Sequence, residues 1–502
     1  MPVSSAHAND QAAQAALTAL AADAYVYGLP LVRGLGTVER LLRQGLGSLQ
    51  PGPPNQFRHA TRLAGPDSDF ASVNSDTVYS LALLDLSEGP QLLHVPDTGG
   101  RYHVLQFIDA WTNDFAYLGR RATGTGEQTW LVVPPHWPGT PPADVRVIAS
   151  PTTVAAVVGR IACAGPSELP RVAALQQQLT ITPLEVGGVA AGLPQPDPVV
   201  PEELRFLEQL RLWMAAFPPA APDVEYQRRF APLGLLDEGP SPYAAAEPGW
   251  AAALAKGLTA GQEHVTAAAR PPEGHPEGEW TAGLHLFDYN LDHLGPGTLD
   301  EPGWRIPDRR AAYLTRAVAA RTALWGNHAY EVVHATTAED AEGEPLSGDR
   351  AYQLRFDNAP PVNAFWSLTV YTLPELRLAA NPIDRYSIGD HTPGLVHGED
   401  GSLVLRLQHT RPADPERAAN WLPTPAGAFR AMIRLYQPGD AVLDGSYRLP
   451  PIHPRHEPGE DPGHGGVPEG QPEGHLGTRR VLHRAEHGIE HGVAHPVLPG
   501  DG

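Results

Sequence analysis

A chain of 502 residues is too long for one hydrophobic core, and its formal net charge of −21 disfavours binding to phosphate backbones or anionic membrane surfaces. Gly 51 and Pro 54 make up about a fifth of the sequence, against an ordinary level of about 12%, which points to turn-rich β structure plus some unstructured sequence. The single cysteine, Cys163, excludes an intrachain disulfide and a thiolate metal cluster.

Asn9 or Asp10 is placed to cap an alanine-rich helix over Gln11–Tyr27, with Leu17, Leu20, Ala24 and Tyr27 on one face. Pro30 is expected to interrupt it before Leu31–Leu46 resumes, and residues 50–54 read as a loop. No window approaches the ~18–20 apolar residues of a membrane span. There is no Lys or Arg before Arg33, so the start is not an intact secretory signal, although Ala6-His7-Ala8 has the form of a cleavage site. The expected compartment is the cytoplasm, with an exported precursor as the alternative if the start is truncated.

A first sandwich is expected over 51–195. Val78–Leu86, Arg101–Asp109, Trp130–Val133, Val145–Ala149, Thr152–Ile161 and Gln176–Ile181 read as its strands, separated by Gly and Pro turns. Cys163 follows the mostly apolar Val154–Ala162 and reads as a small buried side chain. The period then changes to helical. Glu202–Phe217 carries Leu204, Leu207, Leu210, Met214 and Phe217 on one stripe, Tyr243–Arg270 is helix-prone, and Arg309–His334 follows a capping Asp308. Residues 196–345 are therefore expected to form a helical connector.

The second sandwich is expected over 346–452. Tyr352, Leu354 and Phe356 alternate with polar neighbours, as do Leu403, Leu405 and Leu407, and Asp400-Gly401 marks a turn. Ala364–Tyr371 is apolar on both faces, as a strand covered on both sides should be, and Phe429–Tyr436 repeats the strand pattern. The expected fold class is mainly β with a helical connector: two antiparallel β-sandwich domains, jelly-roll-like in the second, plus α-helices. Residues 453–502 are rich in Gly, Pro, His and Glu and lack the apolar side chains to offset ordering, so a flexible tail is expected.

Several strings occur together: Ala24-Tyr25-Val26-Tyr27-Gly28, Asn74-Ser75-Asp76-Thr77-Val78-Tyr79-Ser80, Asp109-Ala110-Trp111-Thr112-Asn113, Gly119-Arg120-Arg121, Asn381-Pro382-Ile383-Asp384-Arg385-Tyr386, Asn420-Trp421-Leu422-Pro423 and Leu443-Asp444-Gly445. In this order they resemble the two-part family of uncharacterised proteins with the domains DUF1254 (N-terminal) and DUF1214 (C-terminal), over roughly residues 15–452. The resemblance implies two β-sandwiches joined by helices. It implies no reaction. Many relatives look exported, and the family pattern stops near Pro450-Pro451-Ile452, so the tail is an addition.

Candidate site residues follow from chemistry and position. If two strand ends converge, Asp76 and Asp109 would form a carboxylate pair for acid and base catalysis, with Asn74, Tyr79, Trp111 and Asn113 as ligand-binding neighbours. The bland alternative is that Asp76 braces a turn and Asp109 pairs with an arginine. Arg385, Tyr386 and Asp390, with His391, form a second cluster, read either as a fork for a substrate carboxylate or as a loop brace. Asn420-Trp421 reads as an anchor for a strand. His483, His487, His491 and His495 recur every four residues and would suit a divalent transition metal on the tail; His285, Asp288, Asp292 and His293 are a looser set of ligand types. No nucleotide-binding fingerprint or nucleophile elbow is present. The expected function is binding of a polar small molecule or glycan at a sandwich mouth or at the seam between sandwiches, with hydrolysis or isomerisation needing no organic cofactor. A structural or assembly role through sandwich faces, including a homo-oligomer, and a metal-binding accessory role through the tail are the alternatives.

Overall fold

The computed structural model describes residues 3–68, 71–270 and 278–455, with side chains from residue 11 onward. The chain opens with α1 (Val3–Gln44), one helix that carries Pro30 inside it. The expected interruption does not occur. Proline removes one donor, but tertiary packing rather than local propensity holds a buried helix together. Part of α1, within Gln11–Gln44, is long and apolar enough to cross a membrane by length and composition alone, with a mean hydropathy of 1.4. This corrects the expectation that no window comes close.

The first sandwich follows with β1 (Phe57–His59), β2 (Thr77–Asp85), β3 (Gln91–Val95), β4 (His103–Asp109), β5 (Asp114–Gly119), β6 (Gln128–Val133), β7 (Arg146–Ala149) and β8 (Val154–Ala162). A short helix, α2 (Leu169–Gln176), precedes β9 (Thr180–Pro183). The strands form a five-stranded sheet in the order β1-β2-β8-β4-β5 and a four-stranded sheet in the order β7-β6-β3-β9. All pairs are antiparallel except β6 with β7. β8 is buried along its whole length, and its Ala155, Ala156, Gly159 and Ala162 allow close approach of neighbouring chain.

Helices come next: α3 (Arg205–Ala216), α4 (Ala221–Arg228) and α5 (Pro248–Ala268), then the two-residue strand β10 (Thr281–Ala282) and α6 (Arg309–Ala323). The stripe read on α3 is buried, from Leu204 through Leu207, Leu210 and Met214 to Phe217. α1 packs on α3, α5 and α6. It meets α5 at Gly257 and Gly261, which face Thr18, Ala21, Ala22 and Tyr25. Asp308 caps α6 by accepting from the Arg310 amide at 3.0 Å, as its position suggested. The expected helix over Arg309–His334 ends early, however. Leu324 is extended, Trp325 has positive φ, and β11 (Val332–Thr337) takes over. Two valines and two threonines prefer an extended chain, and β11 gains a full ladder with a strand more than ninety residues later.

The second sandwich adds β12 (Ala351–Phe356), β13 (Val362–Thr372), β14 (Ser387–Gly389) and β15 (Leu403–Gln408). After α7 (Pro415–Ala419) come β16 (Trp421–Pro423) and β17 (Phe429–Pro438), then α8 (Asp440–Leu443) and β18 (His453–Arg455). One sheet runs β10-β11-β17-β13-β14 and the other β16-β15-β12-β18, with β15 and β16 parallel. Tyr352, Leu354 and Phe356 meet Leu403, Leu405 and Leu407 in the core, so the period of two was a faithful guide.

The two five-stranded sheets face each other. Phe365 of β13 stacks on Tyr436 of β17 with centroids 4.0 Å apart, and Tyr102, just ahead of β4, meets both edge-on. The Asn74-Ser75-Asp76 string staples the halves together. The Asn74 amide donates to the Tyr436 hydroxyl at 2.6 Å, and Ser367 donates to Asp76 at 2.5 Å. Glu331 ties the same seam, pairing with Arg121 at 2.6 Å and accepting from the Tyr102 hydroxyl at 3.2 Å.

Candidate functional site

The facing sheets leave a cavity of about 430 Å³. Its first wall is β2 and β8, through Tyr79, Leu81, Val158 and Arg160. Its second is β11 and β17, through Val332, His334, Arg434 and Tyr436. Strand register sets these groups side by side: Tyr79 is opposite Arg160, and His334 is opposite Arg434. Directly opposed residues have Cβ atoms about 5 Å apart on one face, so each sheet contributes a polar pair to the same space. The turn at 324–327 and residues within 60–68 and 71–74 close the sides, and Arg62 pairs with Asp67 at 2.6 Å.

Both arginines are almost wholly covered, Arg434 at 2% and Arg160 at 8% exposure. Arg434 donates to the Thr369 hydroxyl, the Tyr371 hydroxyl and the Ser72 carbonyl. Arg160 donates to the side-chain oxygens of Gln106 and Asn327 and to the Trp325 carbonyl, and lies over the Tyr79 ring at 5.3 Å. His334 is exposed although protein surrounds it, because the surface it meets is the cavity. The protein around the cavity, then the Arg434 and Arg160 charges, lower the pKa of its imidazole, which favours the neutral form.

The residues expected to act together are separated. Thr77 pairs with Ala162 and Asp109 with Ala155, so Asp76 and Asp109 sit at opposite ends of β8. At about 3.3 Å per residue that is on the order of 25 Å, too far for a shared reaction. The expected convergence of strand ends is therefore not met. Asp109 accepts from the backbone and side-chain amides of Asn113, at 2.8 and 2.9 Å, and burial raises its pKa. Asn113 in turn accepts from Arg316 of α6 at 3.0 Å, and the Trp111 indole donates to the Phe217 carbonyl at 2.9 Å. These three brace the helices on the first sandwich.

Asn74 and Tyr79 do line the cavity. Asp76 faces an adjoining depression of about 480 Å³, together with Arg385, Tyr386 and His391. Arg385 donates to the Ala419 and Trp421 carbonyls, which matches a loop brace. Tyr386 donates to Asp384, and Asp390 accepts from the Trp366 amide, with burial raising its pKa. Asn420 holds the Val396 backbone as an anchor. The Cys163 thiol is buried and raised by that burial.

Asp288 lies between His285 and His328, at 2.6 and 2.9 Å, while Asp292 pairs with Arg309 and the His293 amide donates to Asn290. Among the described residues no three His, Cys, Asp or Glu side chains form a metal-ligand set. His483, His487, His491 and His495 lie outside the described residues.

Sequence reasoning missed Arg160, His334 and Arg434. A signal was present. Arg160 is the one charge in the otherwise apolar Val154–Ala162, and Arg434 sits in a strand whose alternate positions are Ala431, Ile433 and Leu435. A charge in a strand covered on both faces needs a reason.

Residues 54–183 match the family model described as protein of unknown function DUF1254, and residues 331–440 match protein of unknown function DUF1214. No curated protein matches. Among solved structures, the VPA0106 protein from Vibrio parahaemolyticus is similar at 23% identity and a TM-score of 0.66, covering 88% of this chain and 100% of its own. An uncharacterised protein from Burkholderia cenocepacia aligns at 13% identity and a TM-score of 0.39, over 89% of this chain and 95% of its own. The first likeness shows a shared fold.

Proposed function

For a chain that carries both the DUF1254 and the DUF1214 domain, we propose that the protein binds a small polar organic molecule in the cavity between its two sandwiches. The observation that carries this reading is the cavity itself. About 430 Å³ lies within the ~300–1,000 Å³ range of small-molecule sites. Its walls combine apolar surface from Leu63, Leu81, Val158 and Val332 with polar groups that have capacity to spare. Neither the Tyr79 hydroxyl nor the His334 imidazole bonds to another described residue, so both are open to a ligand.

Binding is favoured over acid–base turnover by the same chemistry. A general base works best with a pKa near the operating pH, and that of His334 is lowered away from it. The carboxylate pair considered for hydrolysis is split across the length of a strand.

The test is an unbiased thermal-shift search over polar small molecules, repeated on Val158→Phe. A specific ligand raises the melting temperature by mass action. The substituted ring would occupy the cavity, so the shift should vanish in the variant. A shift that survives in Val158→Phe would refute this location.

A further inference from the structure

Resting on that reading of the cavity, we infer that the ligand is an organic anion whose carboxylate is taken by Arg160 and Arg434. Neither buried guanidinium has a carboxylate in direct contact among the described residues. Buried guanidinium groups are ordinarily paired with carboxylates, because an unpaired charge in a covered site is costly. Arg160 and Arg434 each make three hydrogen bonds, all to neutral oxygens. Among the described residues neither forms an ion pair. A guanidinium has five N–H donors, so each retains donors for a ligand.

Nearby carboxylates are engaged elsewhere. Asp76 accepts from the Ser367 and Ser387 hydroxyls. Glu331 is held by Arg121, and Asp114 accepts from Gln106 and Tyr117. None of these three carboxylates lines the cavity; Asp67, which does, is paired with Arg62 at 2.6 Å. His334 adds no charge of its own, and as a neutral imidazole it offers one donor and one acceptor.

The two cations come from opposite sheets, Arg160 from β8 and Arg434 from β17, and both line the same cavity. An anion entering there would take charge-assisted bonds from both halves of the chain at once. The size of the cavity and its Leu63, Leu81, Val158 and Val332 surface call for an organic body behind the anionic group, which inorganic phosphate lacks. The chemistry is therefore that of a monocarboxylic acid with an apolar or aromatic body.

The test uses the full chain and probes that share a body and differ only in carboxylate against carboxamide: phenylacetate against phenylacetamide, and hexanoate against hexanamide, with inorganic phosphate alongside. Binding is followed by calorimetric titration and thermal shift at millimolar concentration. The expected result is that at least one acid binds at least about tenfold more tightly than its amide, a difference that Arg160→Gln abolishes. Arg160→Lys, which keeps the charge and loses the fork, should retain part of it. Equal binding of acids and amides would overturn the anion assignment and leave the cavity reading standing. Phosphate binding as tightly as the best acid would overturn the organic class. No binding by either acid would overturn the anion assignment, while the cavity reading is decided separately by the Val158→Phe comparison. The acid–amide comparison on the unaltered protein decides the question even if the arginine variants fold poorly.

Discussion

Asp114 offers a direct test of how a buried carboxyl ties the stability of the first sandwich to pH. It begins β5, is 6% exposed, and accepts from the Gln106 amide and the Tyr117 hydroxyl, each at 2.8 Å. Burial pushes its pKa up to about 7, against the pull of those two donors and of Arg160. The folded chain therefore holds this proton at pH values where the unfolded chain, with a carboxyl near 4, has released it. The associated stability is complete below about pH 4 and is lost as pH rises through about 7. Between pH 5 and pH 7 the slope is about 1.36 kcal/mol per unit, so about 2.5 kcal/mol disappears by pH 8. Asp114→Asn keeps the shape, an acceptor for Gln106 and a polar partner for Tyr117, but cannot ionise. Urea or thermal denaturation of both proteins from pH 5 to pH 8 is the assay. The original chain should lose about 2.5 kcal/mol relative to Asp114→Asn across that range. Parallel pH profiles for the two proteins would refute the reasoning.

Arg121→Met should leave Glu331 buried without its cation and cost about 3–5 kcal/mol, seen as a lowered melting temperature in calorimetry; an unchanged transition would count against the pair as a tie across the seam. Gly257→Ala directs a methyl into the Thr18 carbonyl and Ala21, and should destabilise the α1–α5 contact by about 1–3 kcal/mol in denaturant titration. Asp109→Ala should lower stability by about 1–3 kcal/mol by stranding the Asn113 amides. Affinity for a cavity ligand should not change, since Asp109 is no part of the wall; a selective loss of binding at unchanged stability would reverse that assignment.

A good deal of the architecture was legible in the linear chain. The alternation in Tyr352–Phe356 and Leu403–Leu407, the stripe on Leu204–Phe217 and the cap at Asp308 are local patterns, and local patterns report which face of an element is apolar. The motif strings, a separate signal, carried the resemblance to the two-part family whose models match residues 54–183 and 331–440. Tertiary structure alone decided which strands are neighbours. β11 was hidden inside a helical pattern because its partner, β17, lies far along the chain. Asp76 and Asp109 looked like a pair because each sits near a strand end, yet pairing with β8 sent them to opposite ends of the sheet. Arg160 and Arg434 lie 274 positions apart and share a cavity only because two sheets pack face to face. Covalent order constrains which face each side chain takes; only the long-range hydrogen-bond ladders, closed at a cost in chain entropy, determine what that face meets.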